Sequence, residues 1–334
     1  MPSNTDSSAF LVWRDIDSRV RGNDGFSFYY LTRIFDKTNI FFFAFTRYII
    51  KYLFEFVAPW RYLRDNRRMA NALQTNPAYL FFAALAAAIN IFAPLVVALA
   101  ARRALNLSWK YIGFGALIFL VFQLLTRIPV MFAIQAAIAP QLKASRELTL
   151  AWGAGVSFTA GLFEEVGRWV GYRFLMRNDD KTWGKGVLYG IGHGGLEAAL
   201  FVGGLGLITV VNLAALPMLD LSAQLTPEQM QTATQQIAAI NALPAWMPLL
   251  GVWERIWAMC FHVAASLIVM RCFTRGHMVW LAVAIAFHTV LNLTTLLPAA
   301  LGVQGISGAL LTEGVLTVFG LFSLWLIWKM KEEK

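Results

Sequence analysis

Apolar residues along this chain come in long blocks. They neither alternate with polar residues nor form a narrow stripe. Seven blocks, near 78–100, 111–138, 148–175, 184–216, 247–270, 278–300 and 306–328, are each long enough to cross a bilayer. A helix of about 20 residues rises ~30 Å, the thickness of the hydrocarbon core. The period-two pattern of a membrane β-barrel is absent. The expected fold is therefore all-α: a polytopic transmembrane helical bundle of about seven core spans. Several blocks exceed the needed length, which predicts tilts, kinks or interfacial extensions.

Residues 1–68 follow a different pattern. "DSRVRGNDG" (17–25) is polar and turn-rich, and the aromatic segment 39–58 is broken by Arg47, Lys51 and Glu55. The latter reads as an interfacial helix or an eighth, N-terminal span. The cluster Arg61, Arg64, Arg67 and Arg68 would lie on the wrong face for the charge distribution of the rest. The expected organisation is an N-terminal extension over 1–68, with the native start near Met69, and an integral-membrane domain over 69–334.

Composition sharpens the class. The chain is 58% hydrophobic and 14% charged, with a mean hydropathy of +0.58, so its solvent is lipid. The net charge of +9 does not point to nucleic acid, because the basic residues collect at helix ends. From Met69 onward, twelve Lys and Arg fall on one side of the seven-span arrangement and only Lys143 and Arg146 on the other. That asymmetry places the C-terminus in the cytoplasm of a bacterial inner membrane. Cys260 and Cys272 read as small packing residues.

Few strongly polar residues enter the spans: Arg127, Glu164, Glu165, Arg168, His193, Glu197, Glu254, Arg255, His262, His288 and Asn292. Spacings of four residues join Glu164 to Arg168, His193 to Glu197 and His288 to Asn292, so each pair shares a helix face. Counted from the cytoplasmic ends, Glu164, Glu165, His193, His262 and His288 lie about 8–11 residues deep, roughly 12–17 Å below the surface. Four helices thus bring acid or imidazole to one level, which marks a functional site inside the membrane. Glycines around His193 ("YGIGHGG", 189–195) allow close helix approach. Arg127 is expected to pair with a span carboxylate such as Glu197 or Glu254.

The motifs "EEVGR" (164–168), "GHGGLE" (192–197), "ER…FHVAAS" (254–266) and "HTVLN" (288–292) occur in order across most of residues 75–325. In this the chain resembles the YhfC family of intramembrane proteases, related to the CAAX-processing and bacteriocin-immunity membrane proteases. The wider group has a Glu-Glu pair followed by arginine, then Phe-x-x-x-His, then His-x-x-x-Asn. Here Tyr189 stands in the phenylalanine position before His193, and Arg168 comes one residue early, which argues against prenylated CAAX substrates.

The resemblance implies peptide-bond hydrolysis of a membrane-associated protein or peptide. It makes Glu164 the general base, with Glu165 and Arg168 in support, His193 orienting water or protonating the leaving amine, and His288 with Asn292 stabilising the oxyanion. Adjacent carboxylates resist ionising together, and Arg168 holds one as the anion. Glu197, Glu254 and Tyr189 are expected to act as substrate or supporting residues. A second mechanism is a zinc held by His193, His262 and His288, three imidazoles at one depth. No HExxH helix is present. The cofactor is thus none or zinc. An ion-coupled transporter or an inactive binding or immunity protein on the same scaffold remains the alternative class. In the 217–247 connection, Thr226, Pro227 and Glu228 predict the start of a short surface helix.

Overall fold

Lipid offers a backbone no hydrogen-bond partners, so apolar runs of this length close their own bonds as helices. The computed structural model describes residues 71–219 and 225–332. Its main helices are α1 (Pro77–Leu105), α2 (Lys110–Ala144), α3 (Arg146–Val170, continued by a π turn over Gly171–Leu175), α4 (Trp183–Met218), α5 (Pro227–Asn241), α6 (Met247–Thr274), α7 (Val279–Leu301) and α8 (Gly305–Glu332). All of these except α3 and α5 are long and apolar enough to cross a membrane. The protein is an all-α polytopic helical bundle. The N-terminal extension, with its 39–58 segment, lies outside the described residues.

α3 occupies the seventh expected span, and its charges explain why hydropathy alone passes over it. Its buried face is Ser157, Ala160, Gly161, Glu164, Glu165, Gly167 and Arg168. These recur at three- and four-residue intervals, so the helix carries its polar and small side chains inward. α6 shows the complementary behaviour. From Phe261 to Met270 every residue is buried, as expected of a helix apolar on all sides and placed in the middle of a bundle. α3 packs on α7, α8 packs on α6, and α4 lies between α2 and α6.

Small residues set the spacing around α4. A methyl group on Gly192 would collide with the Ile112 carbonyl of α2, and one on Gly115 of α2 would strike the Tyr189 carbonyl of α4. On the opposite side, a Cβ at Gly194 would stand 2.9 Å from the His262 ring. α4 is therefore gripped by both neighbours at backbone distance, with His193 in the middle of the grip.

Three π segments interrupt the spans: Phe119–Arg127 in α2, Gly171–Leu175 after α3 and Ala198–Gly204 in α4. Arg127 ends the first, Glu197 directly precedes the third, and Arg168 lies three residues before the second. Such widened turns commonly mark functional positions.

The long connection holds the expected surface helix. Thr226 caps α5 in a reciprocal box with Gln229, and Pro227 occupies its first turn. Ala233 and Ile237 bury against Leu73, Leu213 and Leu216. Asn241 accepts from the Asn76 backbone at 2.8 Å and donates to the Gln74 carbonyl at 2.9 Å, fastening the end of α5 to the start of α1.

The grip on α4 makes a prediction. Gly192→Ala should cost about 1–3 kcal/mol through overpacking and lower the thermal unfolding temperature of the purified protein in detergent. Gly113, also on α2, has open space around it, so Gly113→Ala should leave that temperature unchanged or raise it. Equal behaviour of the two variants would disprove the close α2–α4 contact.

Candidate active site inside the bundle

Adjacent residues on a helix point about 100° apart, and in α3 Glu164 turns closest to His193 while Glu165 turns to Arg168 and His288. Glu164 Oε2 is the focus of the site. His193 Nε2 lies 2.9 Å from it, Arg168 Nη2 3.7 Å, His288 Nε2 3.9 Å and His262 Nδ1 4.0 Å. Four basic side chains from α3, α4, α6 and α7 thus surround one carboxylate oxygen. Glu165 takes the supporting position: its Oε1 accepts from Arg168 Nη1 and from His288 Nδ1, the latter at 2.6 Å. All six residues are buried.

The network continues into α4 and α6. Arg168 Nη2 contacts His262 Nδ1 at 2.7 Å, and His262 Nε2 lies 2.7 Å from Glu197 Oε2. Glu197 Oε1 accepts from Arg255 Nη1 at 2.8 Å, and Arg255 Nη2 donates to Glu254. Guanidinium is a donor only, so Arg168 assigns the His262 lone pair to Nδ1. By the same logic a carboxylate acceptor assigns the His288 proton to Nδ1 and leaves its Nε2 turned toward Glu164. This connected set holds four carboxylates and two guanidiniums, so negative charge is in excess unless imidazoles or a cation make up the difference.

Could these residues hold a metal? One ligand atom from each of Glu164, His193, Glu197 and His262 falls within a mutual 4.8 Å. Two buried atoms of this group, His193 Nδ1 and Glu197 Oε2, receive no hydrogen bond among the described residues. The 2.7 Å approach of His262 to Glu197 is therefore close but poorly aligned for one. Two imidazoles and two carboxylates are a donor set suited to zinc. The residues fit, with one condition: a cation on His262 displaces either its Nε2 proton or the Arg168 donor at Nδ1. His193 and His262 of the three expected histidine ligands belong to this group. His288 sits instead between the two α3 glutamates. Glu197, read from sequence as a supporting residue, joins the ligand-grade atoms. Its four-residue spacing from His193 was the available signal.

The remaining expected residues are placed as follows. Tyr189 is fully buried and stacks on Tyr172 at 4.7 Å between ring centroids. Asn292 is partly buried, and its side chain lines a cavity of about 290 Å³ together with Glu164, Glu197, Glu254, His262 and His288. Arg127 corrects one expectation. It pairs with neither Glu197 nor Glu254 but binds Gln123 Oε1, Thr159 Oγ1 and the Val156 carbonyl. The reason is geometric, since the π segment of α2 turns it toward the first half of α3.

Comparison with known proteins gives the family. A curated relative, the uncharacterized membrane protein YhfC of Bacillus subtilis (strain 168), is 30% identical over 253 residues, covering 75% of this chain and 95% of that protein. No solved structure matches the chain. The profile of the YhfC intramembrane metalloprotease family matches residues 85–316, which contain every residue of the cluster. The chain therefore belongs to the YhfC intramembrane metalloprotease family.

Proposed function

We propose that this integral membrane protein hydrolyses a peptide bond of a membrane-associated protein or peptide, with zinc held by His193, His262 and Glu197 and with Glu164 as general base. One observation carries the reading: ligand-grade atoms from α3, α4 and α6 meet beside a cavity of about 290 Å³. Two histidines and one glutamate with an open position form a known catalytic zinc set. When bound, the ion supplies Lewis-acid polarisation and a more acidic water.

The chain's own residues supply the remaining chemistry. Glu164 Oε2, the best-surrounded oxygen of the site, takes the proton of the attacking water and returns it to the leaving amine. Arg168 and His288 hold Glu165 as an anion, and both also lie within 4 Å of Glu164, so they tie the two carboxylates together. Asn292 offers an amide donor to the cavity, and a protonated His288 offers a second from Nε2, both suited to a developing oxyanion. Tyr189 and Glu254 support the walls of the site. The charge asymmetry of the loops supports a cytoplasmic C-terminus, and the proposed location is a bacterial inner membrane.

The direct 2.9 Å contact between His193 Nε2 and Glu164 Oε2 favours a second reading, in which the carboxylate and imidazole share a proton and activate water without metal. Metal analysis separates the two. The purified protein is expected to carry one zinc per chain, and chelation should abolish cleavage of membrane peptides until zinc is restored. Full activity in metal-free protein would leave the carboxylate–imidazole reading standing and remove the zinc one.

Substitutions divide the roles. His193→Ala, His262→Ala and Glu197→Gln should lose zinc. Glu164→Gln should retain it while turnover falls by about 10²–10⁴-fold, the usual range for a lost general base. His288→Ala should also retain zinc with reduced turnover. Wild-type processing by the Glu164 and His288 variants would place the peptidase activity elsewhere or reject it.

A further inference from the structure

Arg127 is a cation in the cavity that the catalytic network leaves unused. It is 5% exposed and sits in the π segment of α2. Its Nε donates to Thr159 Oγ1 at 3.2 Å, its Nη1 to Gln123 Oε1 at 3.2 Å and its Nη2 to the Val156 carbonyl. All three acceptors are neutral, and no carboxylate of the described residues lies within ion-pair distance. The other arginines of the site behave differently: Arg168 pairs with Glu165, and the partly buried Arg255 pairs with Glu197 and Glu254. An ionisable residue within a span ordinarily has a charged partner or marks a substrate path.

The guanidinium retains capacity for such a partner. It has five N–H donors, and three are engaged. Gln123, whose Oε1 is taken by Arg127, keeps its amide N–H groups. Both residues line the cavity that also holds Glu164, His288, Asn292 and Thr295. Along α3, Val156 precedes Glu164 by eight residues, about 12 Å of helix axis. Glutamate side chains lean toward the helix N-terminus, which shortens that gap. An extended peptide advances about 3.3 Å per residue, so a strand of two to four residues spans the interval.

We infer that Arg127 and Gln123 form a subsite for a carboxylate of the peptide substrate, in the cavity that Glu164 also lines. The carboxylate belongs either to the chain end or to an Asp or Glu side chain a few residues from the cleaved bond. The inference rests on the peptidase reading, since it names the substrate chemistry of the same cavity.

A retention experiment tests it without turnover. The full chain in detergent micelles is incubated with three pools of hexapeptides built from Ala, Val, Leu and Phe: one with free C-termini, one amidated, and one amidated with a single Glu. Mass spectrometry of the bound fraction compares the wild type with Arg127→Gln and Arg127→Lys. The wild type should retain a carboxylate-bearing pool at least about tenfold over the plain amidated pool, the scale of one charge-assisted hydrogen bond. Arg127→Gln should erase the preference, and Arg127→Lys should restore part of it. Preference for the free-acid pool alone assigns the chain end, and equal preference for the Glu pool assigns the side chain. Equal retention of acid and amide pools by the wild type overturns the subsite. So does an Arg127→Gln protein that melts earlier yet keeps the preference, because Arg127 would then only staple α2 to α3. Failure of the peptidase reading appears separately, as absence of cleavage sensitive to Glu164→Gln.

Discussion

The buried ion-pair network around Glu164 is the constraint on which the rest of this structure depends. Each charge placed at the middle of a span costs about 2.5–3.5 kcal/mol on insertion scales, and removing one member of a buried pair costs more than its partner contributes alone. Glu164, Glu165, Glu197 and Glu254 therefore bind their positions to Arg168, Arg255, His193, His262 and His288. Helices α3, α4, α6 and α7 are held together by these contacts as much as by packing. Their relative rotation is fixed, because rotating any one of them strands a charge in lipid.

Bringing four helices that close demands a particular kind of surface. The glycine run of α4 lets α2 and α6 approach its backbone on both sides, so His193 reaches the centre without a long side chain. The π segments serve the same end. Each shifts the phase of its helix by part of a turn, so residues on either side can face different neighbours. In α2 the shift separates Phe119, which meets the His193 ring edge-on at 5.3 Å, from Arg127, which turns toward α3.

Family membership and geometry constrain the chemistry together. A metalloprotease family needs ligand atoms gathered at one place, and His193, Glu197, His262 and Glu164 each bring one candidate atom within a mutual 4.8 Å. The contact between Arg168 and His262 fixes a tautomer: while the guanidinium donates to Nδ1, a neutral imidazole carries its N–H at Nε2, toward Glu197.

The sequence by itself settled the solvent, the helical class, the approximate placement of the long apolar helices and the short capped helix of the long connection. Those features follow from local rules, namely apolar length, backbone satisfaction and capping chemistry. Periodicity also paired Glu164 with Arg168 and His193 with Glu197, because a helix carries its own geometry. The tertiary structure alone decided how the helices rotate against one another. That rotation put Glu197 rather than His288 among the ligand-grade atoms, set His288 between two glutamates, and gave Arg127 neutral partners in place of an acid. No spacing rule within one helix specifies which side of it meets which neighbour. The choice is made by the combined need to pair every buried charge and to seat each glycine against a backbone.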